Sequence, residues 1–390
     1  MIFKISTAWL QLKYEKLRLL VAIGGISFAV VLIFIQLGLR AALFDSSVSL
    51  HKSLQGDFFL ISPRSTSLVA MESFSERRLY QALAFKEVES VVPIYLAFAQ
   101  WKNPQTKNYW RNIYVIGFDT GYPVFNLPGL KENLDKLKFP DVVLFDQASR
   151  AEFGAIVSEF KQKGSVTTEL GDKGAGNRKI TVEGLFKLGT SFGADGNLMT
   201  SDLNFLRIFM QRPKGFINIG VVQVKSGTNI KEFRRKMREY LPEDVQFLSK
   251  QELIDFEIKY WDSSTPIGFI FSLCVVLALV VGIIIVYQIL YSNISEHLVE
   301  YATLKAIGYK HNYLLSVVFQ ESLILAILGY IPGFIITLGM YKIARDATLL
   351  PVLMEPTRAL LVIILTFFMC FMSGAIAVRK LGEADPADVF

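Results

Sequence analysis

The sequence predicts an α-helical membrane protein with four transmembrane helices and a large α+β domain outside the cytoplasm. Two observations predict this class. Apolar residues are concentrated in one run at 19–39 and in three more crowded into 267–378, whereas residues 42–262 between them are mostly polar. A helix needs about 20 apolar residues to cross the bilayer core, and each run is long enough. Hydrophobic residues make up 52% of the chain and charged residues 19%, so the chain divides between two solvents.

The predicted transmembrane helices are 19–41, 266–291, 314–341 and 358–378. The first, second and fourth contain long stretches without Asp, Glu, Lys or Arg. The third carries Glu321, and a charged residue at a helix centre costs about 2.5 to 3.5 kcal/mol on insertion scales. The rest of that segment is as apolar as the others, so we expect it to insert and Glu321 to have a partner or a role.

The distribution of basic residues predicts that both termini are cytoplasmic and that the domain at 42–262 is periplasmic, in a multi-pass protein of the inner membrane. Short cytoplasmic segments carry an excess of Lys and Arg. On this topology three basic residues flank the outer loop at 342–357, and eight lie inside, including those of the tail at 379–390: Lys4, Lys13, Lys16, Arg18, Lys305, Lys310, Arg379 and Lys380. The first apolar run is too long for a signal peptide, and no A-x-A pattern follows it.

Residues 1–18 allow two interpretations. Apolar side chains recur on one face of a helix, and polar ones on another: Ile5, Ala8, Trp9 and Leu12 against Lys4, Gln11, Glu15 and Arg18. Such a cytoplasmic amphipathic helix would lie along the inner membrane surface. The alternative is an irregular basic flank that contributes only to the charge asymmetry.

The outer domain is predicted to consist of two α/β halves, 42–118 and 216–262, around an insert at 119–215. The halves share an alternation of apolar strands with helices. The predicted strands are 57–62, 88–100, 112–118, 216–224 and 245–248, and the predicted helices are 75–85 and 229–240.

Two helix starts carry capping signals. Asn229 precedes Glu232 by three residues, and Ser249 precedes Glu252 in the same way, which is typical of capping boxes. We expect the first of these helices to bury Ile230, Phe233, Met237 and Tyr240 on one face. The helix that begins at Ser249 presents Leu253, Phe256 and Tyr260 on one face and leads through Asp262 and 263–266 into the second span, so movement of the span could be passed to the domain.

No catalytic or metal site is predicted. Residues 171–179 contain GxxxxG but lack the following Lys-Ser/Thr and a preceding strand, so an exposed Gly-rich turn is the better interpretation. His51, His297 and His311 are far apart and have no metal-site spacing. Cys274 and Cys370 both fall in spans and are interpreted as apolar packing residues. The net charge of +6 is scattered among acidic residues, which does not indicate nucleic-acid binding.

The segment 292–313 lies between the second and third spans and is the strongest functional signal. Glu296 and Glu300 are four residues apart, Ile294, Leu298 and Tyr301 share one helical face, and Gly308 is suited to end a helix. The segment is thus a short amphipathic, cytoplasmic helix that joins two membrane helices. The alternative is a connecting hairpin without further function.

These residues resemble the FtsX/MacB-type permeases of ABC transporters. The run from Glu296 to Gly308 ends in LKAIGY and is followed by FQESLILAILGYIPG, which is similar to the family patterns E-x-x-x-E-x-x-x-L-K-A-I-G and F-x-x-E-x-x-x-x-x-x-x-G. The order of one span, a large outer domain, three spans and a basic tail matches over the whole chain. Within the family, the start of the chain and GDFFLISPRSTSL at 56–68 look most like the DevC type of cyanobacterial exporter permease.

The resemblance implies a homodimeric permease that works with a separate ABC ATPase subunit. This chain contains no Walker motif, so it would bind no cofactor itself, and ATP and Mg would be bound by the partner. Segment 292–313 would be the coupling helix that docks on the ATPase. The expected polar contacts are Ser295, Glu296, Glu300 and Lys305, and the expected packing residues are Leu304, Ala306, Ile307 and Gly308.

The resemblance also implies mechanotransmission. The spans would act as levers that pass ATP-driven motion to MacB-like porter and inserted subdomains. Those would work with a periplasmic membrane fusion protein and a TolC-like outer-membrane channel in tripartite export, or efflux, of lipids and other amphiphilic cargo. No pattern assigns adaptor contacts within 119–215. Glu321 would either steady the third span against the coupling helix or belong to a proton path, although no second acidic residue lies in a span.

Two alternatives come from other functional classes. One is a lipoprotein-releasing permease, which would require a different permease as its partner. The other is an FtsX-like regulator that activates a cell-wall hydrolase and moves no cargo. The large outer domain speaks against the second, because FtsX itself has a smaller one.

Overall fold

The computed structural model describes residues 16–172, 176–297, 299–300, 303, 307–308 and 311–382. The described chain forms two compact units. The helical unit comprises the described residues up to Ala42, Ile267–Thr348 and those from Val352 onward, and the sheet domain comprises Leu43–Pro266 with Leu349–Pro351. The predicted helix at 1–18 and the end of the predicted tail lie outside the described residues, apart from 16–18 and 379–382.

The elements are numbered in chain order through the described residues. The α-helices are α1 Lys16–Ser47, α2 Ser49–Ser53, α3 Arg77–Gln81, α4 Ile156–Lys163, α5 Asp202–Ile208, α6 Ile230–Tyr240, α7 Lys250–Lys259, α8 Pro266–Glu296, α9 His311–Thr348 and α10 Pro356–Gly382. The strands are β1 Phe58–Ile61, β2 Phe74–Ser75, β3 Val88–Lys102, β4 Trp110–Phe118, β5 Val142–Asp146, β6 Val166–Asp172, β7 Gly176–Phe186, β8 Asn197–Ser201, β9 Phe216–Ile217, β10 Ile219–Val224 and β11 Gln246–Ser249. Short 3₁₀ turns occupy Leu68–Ala70, Ala82–Ala84, Lys131–Lys138 and Ala151–Phe153, and a π-helical turn at Tyr260–Ser264 follows α7.

The four predicted spans are confirmed as helices of the helical unit. Among the described residues, four helices are long and apolar enough to cross a membrane, and they are α1, α8, α9 and α10. α9 continues through Pro332 without a break. Membrane helices tolerate proline because neighbouring groups satisfy the backbone carbonyl that loses its hydrogen bond.

Hydrogen bonds from hydroxyl groups to backbone carbonyls join the helices of the helical unit. Ser27 of α1 donates to the Gly329 carbonyl of α9 at 2.9 Å, and Tyr341 of α9 donates to the Phe34 carbonyl of α1 at 2.6 Å. Ser373 of α10 donates to a carbonyl of α8 at 2.9 Å. Small residues and hydroxyl groups replace the missing hydrophobic drive for helix association in lipid.

Gly329→Ala is expected to destabilise the helical unit by about 1 to 3 kcal/mol, because overpacking forces side chains and backbone apart. A Cβ at this position would overlap the Ile26 side chain of α1. The same substitution at Gly339, also in α9, meets nothing within 4 Å and serves as the control. Thermal unfolding of the full chain in detergent measures the difference, and equal melting temperatures for the two variants would contradict this packing.

Nine strands of the described chain form one mixed sheet in the order β11-β1-β10-β3-β4-β8-β5-β7-β6. Most neighbours are antiparallel, while β4–β8 and β5–β7 are parallel. β3 is long enough to pair with β10 and β4 and, at its far end, with β6. The strands of the predicted insert, β5–β8, thereby extend the sheet that the two predicted halves begin.

The sheet has an apolar core on each face. Successive residues of a strand point to opposite faces, and β1 shows this directly. Phe58 and Leu60 lie in one core, and Phe59 and Ile61 lie in the other. A strand buried on both faces has a continuous apolar sequence rather than an alternating one, which explains the run FFLI.

Most predicted elements of the sheet domain are confirmed within one or two residues, namely the strands at 57–62, 88–100, 112–118 and 245–248. The predicted strand at 216–224 is interrupted at Asn218, whose buried side chain accepts from Leu96 N of β3 and donates to the Met71 carbonyl. The predicted helix at 75–85 is shorter than expected, since Ser75 belongs to β2 and the regular helix ends at Gln81.

The predicted buried face of α6 is wrong in part. Phe233 and Met237 are buried as predicted, but Ile230 is 45% and Tyr240 51% exposed. The centre of α6 packs on the sheet, where the Phe233 ring lies near Phe58 of β1, whereas the half-exposed Tyr240 at its end packs edge-to-face on Phe85. The capping signals are confirmed. Asn229 accepts from Glu232 N, and Ser249 and Glu252 form a complete capping box.

Candidate functional site

The predicted coupling segment at 292–313 begins inside α8. The last two residues of α8 are Ser295 and Glu296. Glu300, Ile307 and Gly308 belong to the described part of the segment, and the predicted contacts Leu304, Lys305 and Ala306 lie outside the described residues. The coupling roles of all these residues stay predictions.

Glu296 is held by an arginine of another helix. Both guanidinium nitrogens at the end of Arg18, in α1, contact the two carboxylate oxygens of Glu296. Each side chain is about half exposed, and a bidentate arrangement of this kind is the most specific form of an Arg–carboxylate pair. Arg18 was predicted only as part of a basic flank, so its pairing with the end of α8 was missed.

Glu300 lies with two apolar side chains on the exposed part of the segment. Its carboxylate is 3.1 Å from Nδ1 of His297 and remains 63% exposed. Val299 is 55% and Ile307 71% exposed. Thr303 links Val299 to Ile307. The hydroxyl of Thr303 donates to the Val299 carbonyl, and the Thr303 carbonyl accepts from Ile307 N. Exposed apolar groups beside a carboxylate form a surface suited to a protein partner.

Gly308 has a positive φ of 104°. Only glycine adopts this region without steric cost, which is why it commonly ends helical turns. It follows directly on Ile307, whose N–H closes a helical turn with Thr303. The geometry agrees with the predicted role of Gly308 as a stop between the segment and α9.

Glu321 of α9 is buried against the cytoplasm-directed end of α8 on the predicted topology. Its Oε2 accepts from Nδ2 of Asn293 at 3.1 Å, and both side chains are buried. Among the described residues no group hydrogen-bonds Oε1. The hydrogen bond joins α9 to α8 within the helical unit, and both predicted roles of Glu321 stay predictions. Asn293 is the second residue of the predicted segment 292–313, and its pairing with Glu321 was not identified from the sequence.

A second buried polar site, which the sequence did not reveal, lies within the sheet domain. Glu257 of α7 is almost fully buried. Its Oε1 accepts from the Trp261 indole at 2.8 Å, and its Oε2 accepts from Leu68 N at 2.6 Å. His51 of α2 is fully buried, with its Nε2 3.9 Å from the same Oε2. The site therefore joins α2, the 3₁₀ turn at Leu68 and the α7–π turn.

Burial sets the protonation of this site. It raises the pKa of the Glu257 carboxyl to about 7, and the hydrogen bonds from Trp261 and Leu68 act against that rise. Burial lowers the pKa of His51 to about 4, against a smaller opposite effect of the Ser47 carbonyl. Removal from water disfavours the charged form of each group. Between these values both groups are neutral, with the proton on Glu257.

Comparison with known protein families connects these features. The profile described as FtsX-like permease C-terminal matches residues 269–386, and the profile described as MacB-like periplasmic core domain matches residues 19–240. The second match alone covers more than half of the chain. The chain belongs to the FtsX/MacB family of ABC-transporter permeases. Its predicted membership is thus confirmed.

Two solved structures are similar to part of this FtsX/MacB permease. The periplasmic region of MacB from Actinobacillus actinomycetemcomitans shares 13% identity over 51% of this chain and 91% of its own, with a TM-score of 0.34. The extracellular domain of the noncanonic ABC-type transporter YknZ from Gram-positive bacteria shares 17% identity over 50% of this chain and 100% of its own, with a TM-score of 0.34. A search of curated protein sequences finds no match to the permease.

Membership fixes the general role of the molecule. Permeases of the FtsX/MacB family work with an ABC ATPase, and permease components of this kind are generally not catalytic. In this permease, the segment between α8 and α9 lies within the matched FtsX-like region. Among the described residues no group of His, Cys, Asp and Glu is arranged to hold a metal ion.

Proposed function

We propose that this permease transmits ATP-driven motion from a separate ATPase to its sheet domain, and that the domain thereby expels lipid-like or amphiphilic cargo through a membrane fusion protein and a TolC-like outer-membrane channel. The observation that carries the proposal is the exposed surface of Val299, Glu300 and Ile307 between two long membrane helices. ATP and Mg would be bound by the ATPase.

The coupling step follows from how this segment is attached. Glu296 is bound by Arg18 of α1, and Glu321 of α9 is bound by Asn293 of α8. A force applied at the segment would therefore reach α1, α8 and α9 together. Because packed interiors respond by shifting as units rather than by deforming continuously, the three helices would move as levers.

The proposed topology places both termini in the cytoplasm and the sheet domain in the periplasm of an inner-membrane protein. The excess of Lys and Arg on the inner segments supports this orientation. It also puts the segment of Glu300 on the side where ATP is available, and the sheet domain on the side where a membrane fusion protein is found.

The proposed assembly is a homodimer surrounded by membrane lipids. The most apolar part of α8 is only 17% buried within the chain, compared with 44% for α1. A second copy is therefore proposed to pack on α8, with lipids covering the remaining apolar faces. The resemblance to the DevC type supports export as the outcome of the motion.

A pull-down of the tagged full chain in mild detergent from its native cells tests this proposal. Recovery of an ABC ATPase with a membrane fusion protein is the expected result. Recovery of the ATPase with a second, different permease would favour a lipoprotein-releasing function instead. Recovery with a cell-wall hydrolase would favour an FtsX-like regulatory function.

A further inference from the structure

Glu257 lies where two chain segments that lead to membrane helices come together. α2 begins two residues after α1 ends, and α7 continues through the π turn at Tyr260–Ser264 to α8. Inside the sheet domain, α2 contributes His51 to this place and α7 contributes Glu257. The first and second spans thus reach the sheet domain through segments that meet at one buried carboxyl group.

A continuous set of contacts leads from this carboxyl group into the sheet. Glu257 accepts from the N–H of Leu68, and the carbonyl of Leu68 accepts from the hydroxyl of Tyr114 at 2.6 Å. Tyr114 belongs to β4, which pairs with β3 and β8 near the middle of the sheet. Leu68 is therefore held on one side by α7 and on the other by the centre of the sheet.

Two further contacts hold the same segments. The Lys250 ammonium at the start of α7 donates to the Lys52 and Leu54 carbonyls at the end of α2, at 2.9 and 2.7 Å. Trp261, which donates to Glu257, packs its ring edge-to-face on Phe192 with centroids 5.0 Å apart. The carboxyl group lies at the centre of these contacts, and no other described side chain joins α7 to Leu68 by a hydrogen bond.

We propose that Glu257 is the positioning residue that fastens α7 to the sheet domain through Leu68, and with it α2, which Lys250 of α7 binds, so that both membrane-connected segments and the sheet move as one body. This inference rests on the proposed function, because it names the place where motion of the spans enters the domain. A buried carboxyl group suits this task, since removing its acceptor atoms leaves the buried N–H groups of Leu68 and Trp261 unpaired. Such losses are larger than the net value of an ordinary hydrogen bond.

Glu257→Gln tests the proposal without a change in volume. The amide can accept from only one of the two donors and presents its own N–H₂ to the other, so either the Leu68 amide or the Trp261 indole loses its acceptor and the two contacts cannot both remain. Asp255→Asn is the matched control, because Asp255 is exposed on the same helix and bonds only to Gln251 in the described structure. Tyr114→Phe breaks the next contact of the set and serves if Glu257→Gln does not fold.

The first readout is hydrogen exchange of the full chain in detergent, without any ATPase. Peptides that cover 66–72 are expected to exchange about tenfold faster in Glu257→Gln and Tyr114→Phe than in the wild type and Asp255→Asn. Unchanged exchange in both variants would overturn the proposed joint.

The second readout is the distance between spin-labelled residues introduced at exposed Lys259 in α7 and Glu89 in β3, in the full chain with its ATPase. The wild type is expected to keep one narrow distance with and without ATP and Mg, and Glu257→Gln to broaden it while ATP hydrolysis continues. A wild-type distance that changes with ATP would overturn the joint. If the Glu257 contacts behave as expected but Glu300→Lys does not change stimulation of the ATPase, the proposed function would be overturned instead.

Discussion

Glu300→Lys is expected to weaken binding of the ABC ATPase to the full chain by about tenfold or more. The carboxylate is exposed beside the apolar surface of Val299 and Ile307, and placing a like charge opposite a partner's basic group costs several kcal/mol. ATPase stimulation by the permease in lipid nanodiscs measures the effect. Glu243→Lys, an equal change of charge at an exposed turn of the sheet domain, is expected to leave stimulation unchanged.

Gly308→Pro is expected to have the same consequence by a different route. Proline holds φ near −65°, whereas Gly308 has φ of +104°, so the segment could not end as it does before α9. Gly308→Ala keeps the N–H and should lose less. Full stimulation by both Glu300→Lys and Gly308→Pro would show that this segment does not contact the ATPase.

Glu296 requires a different design, because it is already bound by Arg18. Glu296→Arg alone would place two guanidinium groups together and disturb the ends of α1 and α8. The double variant Arg18→Glu with Glu296→Arg restores an ion pair. Recovery of stimulation in the double variant would assign Glu296 to positioning of the helices rather than to direct contact with the ATPase.

His51→Leu and Glu257→Gln are expected to change the pH dependence of stability in opposite directions. In the wild type, folding moves a proton from His51, with a pKa of about 4 when folded, to Glu257, with a pKa of about 7. The number of bound protons then hardly changes between about pH 4.5 and 6.5, and these two groups together make stability nearly independent of pH there.

Each variant leaves one titration uncompensated. In His51→Leu, Glu257 binds its proton more tightly when folded, so stability falls as the pH rises from about 4.5 to 7. In Glu257→Gln, His51 binds its proton less tightly when folded, so stability is lost as the pH falls from about 6.5 to 4. A pKa shift of this size corresponds to a change in the free energy of unfolding on the order of 3 kcal/mol for each group.

Thermal unfolding of the full chain in detergent at about pH 4.5, 5.5, 6.5 and 7.5 measures these slopes. Subtracting the slope of the wild type removes the contribution of other titrating groups. Tyr114 does not titrate in this pH range, because burial and the charge of Glu257 raise its pKa well above the usual value. Asp255→Asn is the control. Slopes of the same sign in His51→Leu and Glu257→Gln would refute this assignment of the proton.

The membrane helices and most of the strands could be predicted from the sequence because their signals are local. Apolar length alone identified the four spans, and the spacing of Ser249 and Glu252 identified the start of α7. The long-range pairings of β8 with β4 and of β6 with β3 could not be predicted in this way, since nothing near 142–201 in the sequence indicates which earlier strands these segments pair with.

The buried sites were missed for a related reason. Leu253, Glu257 and Trp261 recur at intervals of four residues, and this stripe signals that Glu257 faces the interior. We instead predicted a buried face of Leu253, Phe256 and Tyr260, and the π turn that begins at Tyr260 displaces this face. His51 gave no signal at all, since its burial depends on α7, which is remote in sequence. The pairing of Arg18 with Glu296 likewise joins opposite regions of the chain.

Photo-cross-linking at Ile307 in native cells tests whether the segment between α8 and α9 contacts the ATPase. A photoreactive residue there replaces the most exposed large apolar side chain of the described coupling segment. We expect cross-links to an ABC ATPase from Ile307, and none to it from the same group at Leu203, which is similarly exposed in the sheet domain. Cross-links to the ATPase from Leu203 but not from Ile307 would contradict both the coupling site and the proposed topology.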